Sequence, residues 1–268
     1  MPSIALSLRR SGAAFNSWTS LLGFLIVQEF AWRFKTIRAG AILAMLEPIV
    51  WIAAIVFVRG YLRRMEPHFG TSITLFISSG ILPYYVFVRL SVRSRVVRYD
   101  ASHRLPLVTS TETWLASVVS EASLILTALV VWFTLLWLFG IRGAVPVKPE
   151  ECLIALLLFG MLGIGMGLIN AAIIRRFPMW RMIYAIPSRG LVLLSGAYYV
   201  VDLMPLRVRD FIVWNPLTHA IEWYRIGQFG DQYPHITLDR QYCVTFAIIL
   251  LLIGVACHRA TIRADRVR

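Results

Sequence analysis

Six stretches of apolar residues, separated by segments that hold most of the arginines, dominate the pattern of this 268-residue chain. A helix needs about 20 residues to cross a hydrocarbon core about 30 Å thick. The third and fourth stretches reach that length, and the others approach it when their aromatic ends are counted. The pattern therefore predicts an all-α integral membrane protein with six transmembrane helices. The stretches are residues 41–58, 71–88, 115–139, 151–174, 187–201 and 243–257.

The segment before the first stretch is amphipathic. Within residues 15–34 the uncharged apolar part covers only about a dozen residues, too few to cross a bilayer. One helical stripe holds Trp18, Leu22, Leu25 and Ile26, and charged residues crowd the end of the segment. This pattern is typical of a helix that lies in the membrane interface. A seventh span is the alternative.

The fifth apolar stretch is short and a second semi-apolar segment follows it. Its uninterrupted apolar run is Gly190–Val201, and Pro205 comes soon afterwards. Asn215–Pro216 then favours a helix break, because proline disfavours the α conformation in the residue before it. Broken helices at membrane depth need protein or a water-filled cavity beside their exposed backbone. Residues 187–227 are therefore predicted to form a helix and a re-entrant helical hairpin between spans 5 and 6, near the outer face.

Composition excludes a soluble globular domain, since 58% of the residues are hydrophobic and only 15% are charged. Eighteen of the 27 Lys and Arg residues lie in the N-terminal segment, the loops 89–114 and 175–189, and the C-terminal tail. Cytoplasmic loops are enriched in Lys and Arg, so both termini are predicted to be cytoplasmic. The net charge of +13 indicates contact with lipid headgroups. Nucleic-acid binding is not predicted.

Three regions follow from this pattern. Residues 1–40 are predicted to be a cytoplasmic N-terminal segment with the interface helix. Residues 41–258 are the six-helix transmembrane domain, and residues 259–268 are a cytoplasmic tail. Gly163 and Gly167 in the fourth span form a G-x-x-x-G face suited to close helix contact.

Glu47 and Glu121 lie within predicted spans, where carboxylates are costly and face protein or water. Two interpretations are open for each carboxylate. One is a group that lines or gates a pathway. The other is a carboxylate near a helix end that pairs with an arginine.

The motifs of nucleotide binding and of common hydrolytic or redox chemistry are absent from the sequence. There is no G-x-x-x-x-G-K-[ST], H-E-x-x-H, G-x-S-x-G or C-x-x-C. The three cysteines have no metal-ligand spacing. His219 and Glu222 are three residues apart, a spacing that fits either an acid/base pair or an interfacial helix cap. No catalytic residue and no metal ligand is predicted.

Two tyrosine pairs lie deep in a span or at a helix break. They are Tyr84–Tyr85 and Tyr198–Tyr199. Amphipathic rings suit the headgroup layer of a bilayer. Flat rings with a hydroxyl can also stack on sugar faces and donate hydrogen bonds. The pattern alone leaves both interpretations open.

Several sequence blocks, in this order and spacing, carry a family resemblance from about residue 20 to 255. The strongest are LLSGAYYVVDLMP at 193–205 and NPLTHAIEWYRIGQFGD at 215–231. The chain resembles the permeases of ABC-2 type exporters, and most closely the capsular polysaccharide export inner-membrane proteins of Gram-negative bacteria. Such permeases have a basic stretch before span 1 with a tyrosine where this chain has Phe34. Weaker blocks lie at 28–50, 111–123 and 166–177.

The resemblance implies a homodimer in the bacterial inner membrane with two copies of a separate ATPase subunit. ATP and Mg²⁺ would bind that ATPase, so this chain is expected to bind no cofactor and to be no enzyme. A lipid-linked polysaccharide would be the cargo, with periplasmic and outer-membrane export partners.

The resemblance also implies roles for residues in three groups. ATPase coupling would involve Glu29, Arg33, Lys35, Asp100, His103 and Arg104. The channel for the substrate would be lined by Tyr84, Tyr85, Tyr198, Tyr199 and Trp214. The re-entrant hairpin at the outer mouth would contain Pro205, Asn215, Pro216, His219 and Glu222.

Other functions remain open at this point. An ABC-2 exporter could carry O-antigen, a teichoic-acid-like polymer or a drug. A more distant alternative is a membrane-embedded transferase that uses His219 and Glu222.

Overall fold

The computed structural model of the chain describes residues 20–21, 23–28, 31, 40–58, 69–70, 72–93 and 110–266. Regular structure in these ranges is helical, without any β-strand. The predicted all-α class is therefore confirmed. The main helices are α1 (Gly40–Val56), α2 (Ile73–Arg93), α3 (Ser110–Leu138), α4 (Pro149–Arg176), α5 (Trp180–Gly190), α6 (Leu206–Ile212), α7 (Pro216–Phe229) and α8 (Arg240–Arg266).

Within the described ranges, four helices are long and apolar enough to cross a membrane, and they match the second, third, fourth and sixth predicted spans. Their spanning segments are Ile73–Val92, Trp114–Leu138, Pro149–Arg176 and Arg240–Thr261. The first predicted span forms α1, in which the apolar part Leu46–Val56 is shorter. The total of six spans stays a prediction.

The fifth apolar stretch does not form one helix. Helix α5 begins at Trp180 and ends at Gly190, so the predicted start at residue 187 was wrong. Successive turns follow over residues 191–199, with Leu194 N–H donating to Leu191 O at 3.1 Å. Gly196 has φ +77°, a left-handed conformation that glycine adopts without steric cost. Hydropathy misplaced the start because the first turn of α5 carries the polar side chain of Arg181.

Helix α4 lies at the centre and packs against α2, α7 and α8. A Cβ atom built on Gly163 would lie 2.9 Å from the Cβ of Leu90, so α2 and α4 meet closely at this glycine. Close contact through the predicted G-x-x-x-G face is therefore confirmed at Gly163. A second close approach, which the sequence did not predict, joins Gly165 of α4 to Gly254 of α8.

Helix α7 is short but forms part of the core, with 12 of its residues buried. The Asn215 side chain caps it by accepting the N–H of Leu217 at 3.1 Å, and Pro216 occupies the first turn. Proline suits this position because the N–H it lacks would have no helical acceptor. The predicted break at Asn215–Pro216 is confirmed. Pro205 precedes the short, mostly exposed helix α6.

The other predicted boundaries fall close to the observed ones. Helix α3 starts at Ser110, five residues before the third apolar stretch, and α2 continues to Arg93, five residues beyond the second. Helix α8 runs without a break to Arg266, so the predicted division at 258/259 falls inside a helix. Residues 23–28 are helical, and Leu25 packs with Ala116 of α3.

Candidate functional site

A cavity of about 440 Å³ lies between α1, α2, α5 and the turns that follow α5. Sites of this size, with mostly apolar walls and a few converging polar groups, are typical ligand sites. The aromatic and charged side chains that line it are Trp51, Tyr84, Tyr85, Tyr198, Glu47, Arg89 and Arg189.

Tyr84 and Tyr85 are neighbours on α2 but contribute differently. Tyr84 is 2% exposed, and its hydroxyl donates to Ser188 O of α5 at 2.7 Å. Tyr85 is less buried and lines the cavity together with Glu47 of α1. Tyr84 thus fixes α5 against α2, whereas Tyr85 presents its ring to the cavity.

Arg89 pairs with both carboxylates that the sequence placed inside spans. Its Nη1 lies 3.1 Å from Glu47 Oε2, and its Nε lies 2.7 Å from Glu121 Oε1. The Glu121 side chain is 1% exposed and that of Glu47 is 36% exposed, so Glu47 is the carboxylate that faces the cavity. A buried charge needs such pairing to offset its loss of hydration. Pairing with an arginine is confirmed for both carboxylates, and Glu47 also lines the cavity.

The turns after α5 carry the third tyrosine of the cavity. Ala197 lies directly against Gly80 of α2, where a Cβ atom would come within 2.8 Å of the Ala197 Cα. Tyr198 follows and lines the cavity. The Tyr199 hydroxyl donates instead to Leu193 O at 2.8 Å, which closes the turn on itself.

Side chains of α7 bind the backbone of the same turns. Asn215 Nδ2 donates to Leu194 O at 3.3 Å, and Thr218 Oγ1 lies 3.4 Å from the same oxygen. Arg225, which lies further along this helix face, binds the carbonyls of residues 196, 197 and 199. The exposed carbonyls of this break in an apolar segment thus have protein donors.

Comparison with known proteins places the chain in a family. Residues 20–229, most of its length, match the ABC-2 type transporter family. The chain belongs to the ABC-2 type transporter family. The resemblance found in the sequence is therefore confirmed.

Several curated relatives of this ABC-2 chain are polysaccharide export proteins by name. The polysialic acid transport protein KpsM of Escherichia coli is 25% identical over 239 residues, which cover 88% of this chain and 91% of KpsM. The capsule polysaccharide export inner-membrane protein CtrC of Neisseria meningitidis serogroup B is 26% identical over 250 residues, 89% and 92% of the two chains. BexB of Haemophilus influenzae, with the same descriptive name as CtrC, is 34% identical over 104 residues, 38% of each chain.

The structure brings together three of the five tyrosine and tryptophan residues that the sequence placed on a channel. Tyr84, Tyr85 and Tyr198 line one cavity, although they come from two distant parts of the ABC-2 chain. The Tyr199 hydroxyl donates to a carbonyl within the turn, and this residue does not line the cavity. Trp214 is 79% exposed and lies outside the cavity, where its backbone carbonyl accepts the Tyr242 hydroxyl at 2.7 Å.

His219 and Glu222 are both buried on α7, but their contacts do not form an acid/base pair. His219 Nε2 lies 2.8 Å from Val213 O, and Nδ1 accepts the backbone N–H of Asp239 at 3.1 Å. Both ring nitrogens are thus occupied by backbone, and burial lowers the pKa of His219. Glu222 Oε2 accepts the Thr237 hydroxyl at 2.9 Å. Burial raises the pKa of Glu222 to about 7.

The residues predicted to couple to an ATPase lie outside the described residues. They are Glu29, Arg33, Lys35, Asp100, His103 and Arg104.

Sequence reasoning missed Trp51, Arg89 and Arg225 at this site. Arg89 was counted only among the basic residues of the loop 89–114. A signal for Arg225 was present. An arginine in the semi-apolar segment DFIVWNPLTHAIEWYRIG is costly at membrane depth, which marks it as a residue with a specific partner.

Proposed function

We propose that this ABC-2 chain is the transmembrane subunit of an exporter that carries a lipid-linked capsular or related polysaccharide across the inner membrane. The observation that carries the proposal is the match to the ABC-2 family together with capsule-export relatives aligned over most of the chain. Energy would come from ATP hydrolysis, with Mg²⁺, in two copies of a separate ATPase subunit.

The cavity supports this function by its chemistry. The rings of Trp51, Tyr85 and Tyr198 offer flat surfaces to a sugar ring, and the phenol hydroxyls add hydrogen-bonding groups. Each contact of this kind contributes only a modest binding free energy. A moving polymer needs such contacts, because tight binding at one position would stop it.

A second copy of the chain would complete the pathway. The cavity is bounded by α1, α2, α5 and the following turns of one chain, and apolar side chains beside it, such as Val50, Ile183 and Ile186, are exposed. A homodimer formed across α1 and α5 would enlarge the cavity into a central channel. Within it, residues 203–227 would be the re-entrant hairpin at the outer mouth, with six spans and both termini in the cytoplasm.

Coupling to the ATPase is assigned to the cytoplasmic side. The interface helix around Glu29–Lys35 and the loop 93–113 would contact the ATPase and pass its movement to the spans. The periplasmic loops would meet envelope partners of the export system.

The transferase alternative is disfavoured by the contacts of His219. Both ring nitrogens bind backbone groups, so the ring cannot exchange a proton with a substrate without breaking a hydrogen bond. Exporters of O-antigen, teichoic-acid-like polymers or drugs differ from the proposal in cargo alone, and the transport assay separates them.

The test is transport by the chain and its co-purified ATPase in proteoliposomes. Tyr85→Ala combined with Tyr198→Ala removes two ring surfaces worth about 0.5–1.5 kcal/mol each. We expect polymer translocation to fall roughly tenfold, since 1.4 kcal/mol corresponds to a factor of ten, while the ATPase stays bound.

Two matched variants control this test. Tyr85→Phe with Tyr198→Phe keeps both rings and should retain most of the transport. Trp137→Ala removes an exposed ring at the end of α3, away from the cavity, and should leave transport unchanged. Normal transport by the double alanine variant would remove the cavity from the pathway. Transport by the chain without any ATPase, or of a drug in preference to polymer, would contradict the proposed function itself.

A further inference from the structure

The turns over residues 191–199 interrupt an apolar segment at a position where free backbone carbonyls are costly. In a helix each carbonyl accepts the N–H four residues later, whereas a turn leaves carbonyls without that donor. In the bilayer core no water replaces it, so protein must supply the donors. The carbonyls of Ala197 and Tyr199 are in this situation, whereas Gly196 O accepts the N–H of Tyr199 at 3.3 Å.

Arg225 supplies donors to all three carbonyls. Its Nη1 lies 2.9 Å from both Gly196 O and Tyr199 O, and its Nη2 lies 2.7 Å from Ala197 O. The same guanidinium contacts the Tyr233 hydroxyl at 3.3 Å through Nη1. One side chain of α7 therefore binds backbone carbonyls both before and after Tyr198 in the chain.

The guanidinium is also fixed on its other side, by α2. Nε lies 3.4 Å from Ser79 Oγ, and the guanidinium carbon sits 4.0 Å from the centre of the Phe76 ring. Arg225 is 0% exposed. A cation held over an aromatic ring and bound by several oxygens recovers part of the hydration it loses.

Gly80 lets the turn approach α2 closely enough for these bonds. A Cβ at this position would fall within 2.8 Å of Ala197 Cα and 2.9 Å of its carbonyl carbon. Both are backbone atoms, which cannot rotate away as a flexible side chain could. The turn is thus held by Arg225 from one side and rests on Gly80 from the other.

We propose that Arg225 is the positioning residue that sets the place of Tyr198 in the cavity. Its guanidinium binds the carbonyls on both sides of Tyr198, so the direction of that ring follows from the arginine. The consequence for transport rests on the proposed function, in which Tyr198 lines the pathway. The position of the ring itself does not depend on that function.

Lysine cannot replace arginine in this role. The guanidinium directs several N–H groups outward in one plane, whereas a lysine presents its donors from a single nitrogen. Arg225→Lys therefore keeps the positive charge but cannot reach three carbonyls at once. Gly80→Ala disturbs the same turn by a different route, since it leaves Arg225 intact and pushes Ala197 away from α2.

The experiment measures how fast a cysteine at position 198 is alkylated by N-ethylmaleimide, read at that residue by peptide mass spectrometry. It uses the full chain with its ATPase and the reporter substitution Tyr198→Cys. We expect Arg225→Lys and Gly80→Ala each to raise the rate about tenfold, equivalent to about 1.4 kcal/mol. The alkylation rate rises because a loosened turn exposes the cysteine at position 198 to the reagent.

Three controls separate positioning from a general loss of structure. Trp51→Cys, on the opposite wall of the cavity, should be alkylated at an unchanged rate in both variants. Gly160→Ala makes the same chemical change as Gly80→Ala, in a helix position where nothing lies within 4 Å. Arg240→Lys conserves a contact with Glu151 that lysine can also make. Neither control substitution should alter the rate at position 198.

An unchanged rate at position 198 in Gly80→Ala, or in a folded Arg225→Lys, overturns the positioning role. Equal acceleration at positions 51 and 198 also overturns it, because that result indicates general loosening. Transport is measured separately with Tyr198 in place, and both variants should slow it. A shift in alkylation with normal transport would leave the positioning role intact and would contradict the use of Tyr198 in the pathway.

Discussion

Two arginines, the half-buried Arg89 and the fully buried Arg225, are used in different ways in this chain. Arg89 binds two carboxylates on neighbouring helices, so it neutralises charge that would otherwise be costly. Arg225 binds backbone carbonyls, so it replaces donors that an interrupted helix lacks. The sequence shows that each arginine is present, but only the packing of helices decides which oxygens surround it.

Glu222 provides a prediction at the scale of one residue. Its pKa is raised by burial from 4.5 to about 7. The folded state thus favours the protonated carboxyl, and the resulting stability is present below pH 4.5 and lost as the pH rises through about 7. Glu222→Gln should therefore raise the thermal unfolding midpoint at pH 8 and leave it nearly unchanged at pH 5. Each pKa unit corresponds to about 1.4 kcal/mol, which limits the difference to about 3 kcal/mol.

Asp231 offers the control for this pH dependence. The Lys148 amino group, 2.6 Å from Asp231 Oδ1, holds the pKa of that exposed carboxyl below 3.8. Asp231 stays ionised from pH 5 to pH 8, so Asp231→Asn should change the midpoint equally at both values. A gain from Glu222→Gln of the same size at pH 5 and pH 8 would contradict the assignment.

At the scale of elements, glycine positions determine how closely helices approach. The crossing of α4 and α8 brings Gly254 against Gly165, where an added Cβ would lie 3.1 Å from the Gly165 Cα. The atoms closest to such a Cβ belong to the Gly165 backbone, so no rotation of a side chain could make room for it. The sequence indicated a glycine face on α4 but not its partner on α8, since that partner comes from a helix about 90 residues later.

Gly254→Ala should therefore destabilise the chain, whereas Gly160→Ala on α4 should not. Overpacking of this kind typically costs about 1–3 kcal/mol. Gly160 has open space around it, and alanine there also favours the helix. The measurement is the unfolding midpoint of each purified variant in the same detergent. Equal midpoints would show that the α4–α8 crossing can relax.

The interrupted fifth span shows the limit of prediction for an element. The run Gly190–Val201 is apolar throughout, which is typical of a helix, yet Gly196 turns the chain and α7 binds the released carbonyls. The local sequence favoured a continuous helix, whereas the side chains of α7 stabilised turns. The helix break before α7, by contrast, was predicted from the Asn215–Pro216 pair itself, and Asn215 caps the helix there.

At the scale of the whole molecule, the cavity and the proposed coupling region have to act together. We expect Glu29→Arg, or deletion of residues 100–108, to abolish export while the permease still folds and forms its dimer. The reason is that movement of the ATPase would no longer reach the spans. The readouts are polymer at the cell surface and the size of the purified complex. Export by either variant would place the coupling elsewhere.

The sequence by itself determined the all-α membrane class, four of the long apolar helices and the family. These properties follow from hydropathy, helix length and residue order, which are local or additive along the chain. The tertiary structure decided that Arg89 pairs with Glu47 and Glu121, that Tyr84, Tyr85 and Tyr198 share one cavity, and that Arg225 holds the turn beside it. These properties depend on contacts between helices far apart in sequence, because a buried polar group takes whichever partner the packing brings within hydrogen-bonding distance.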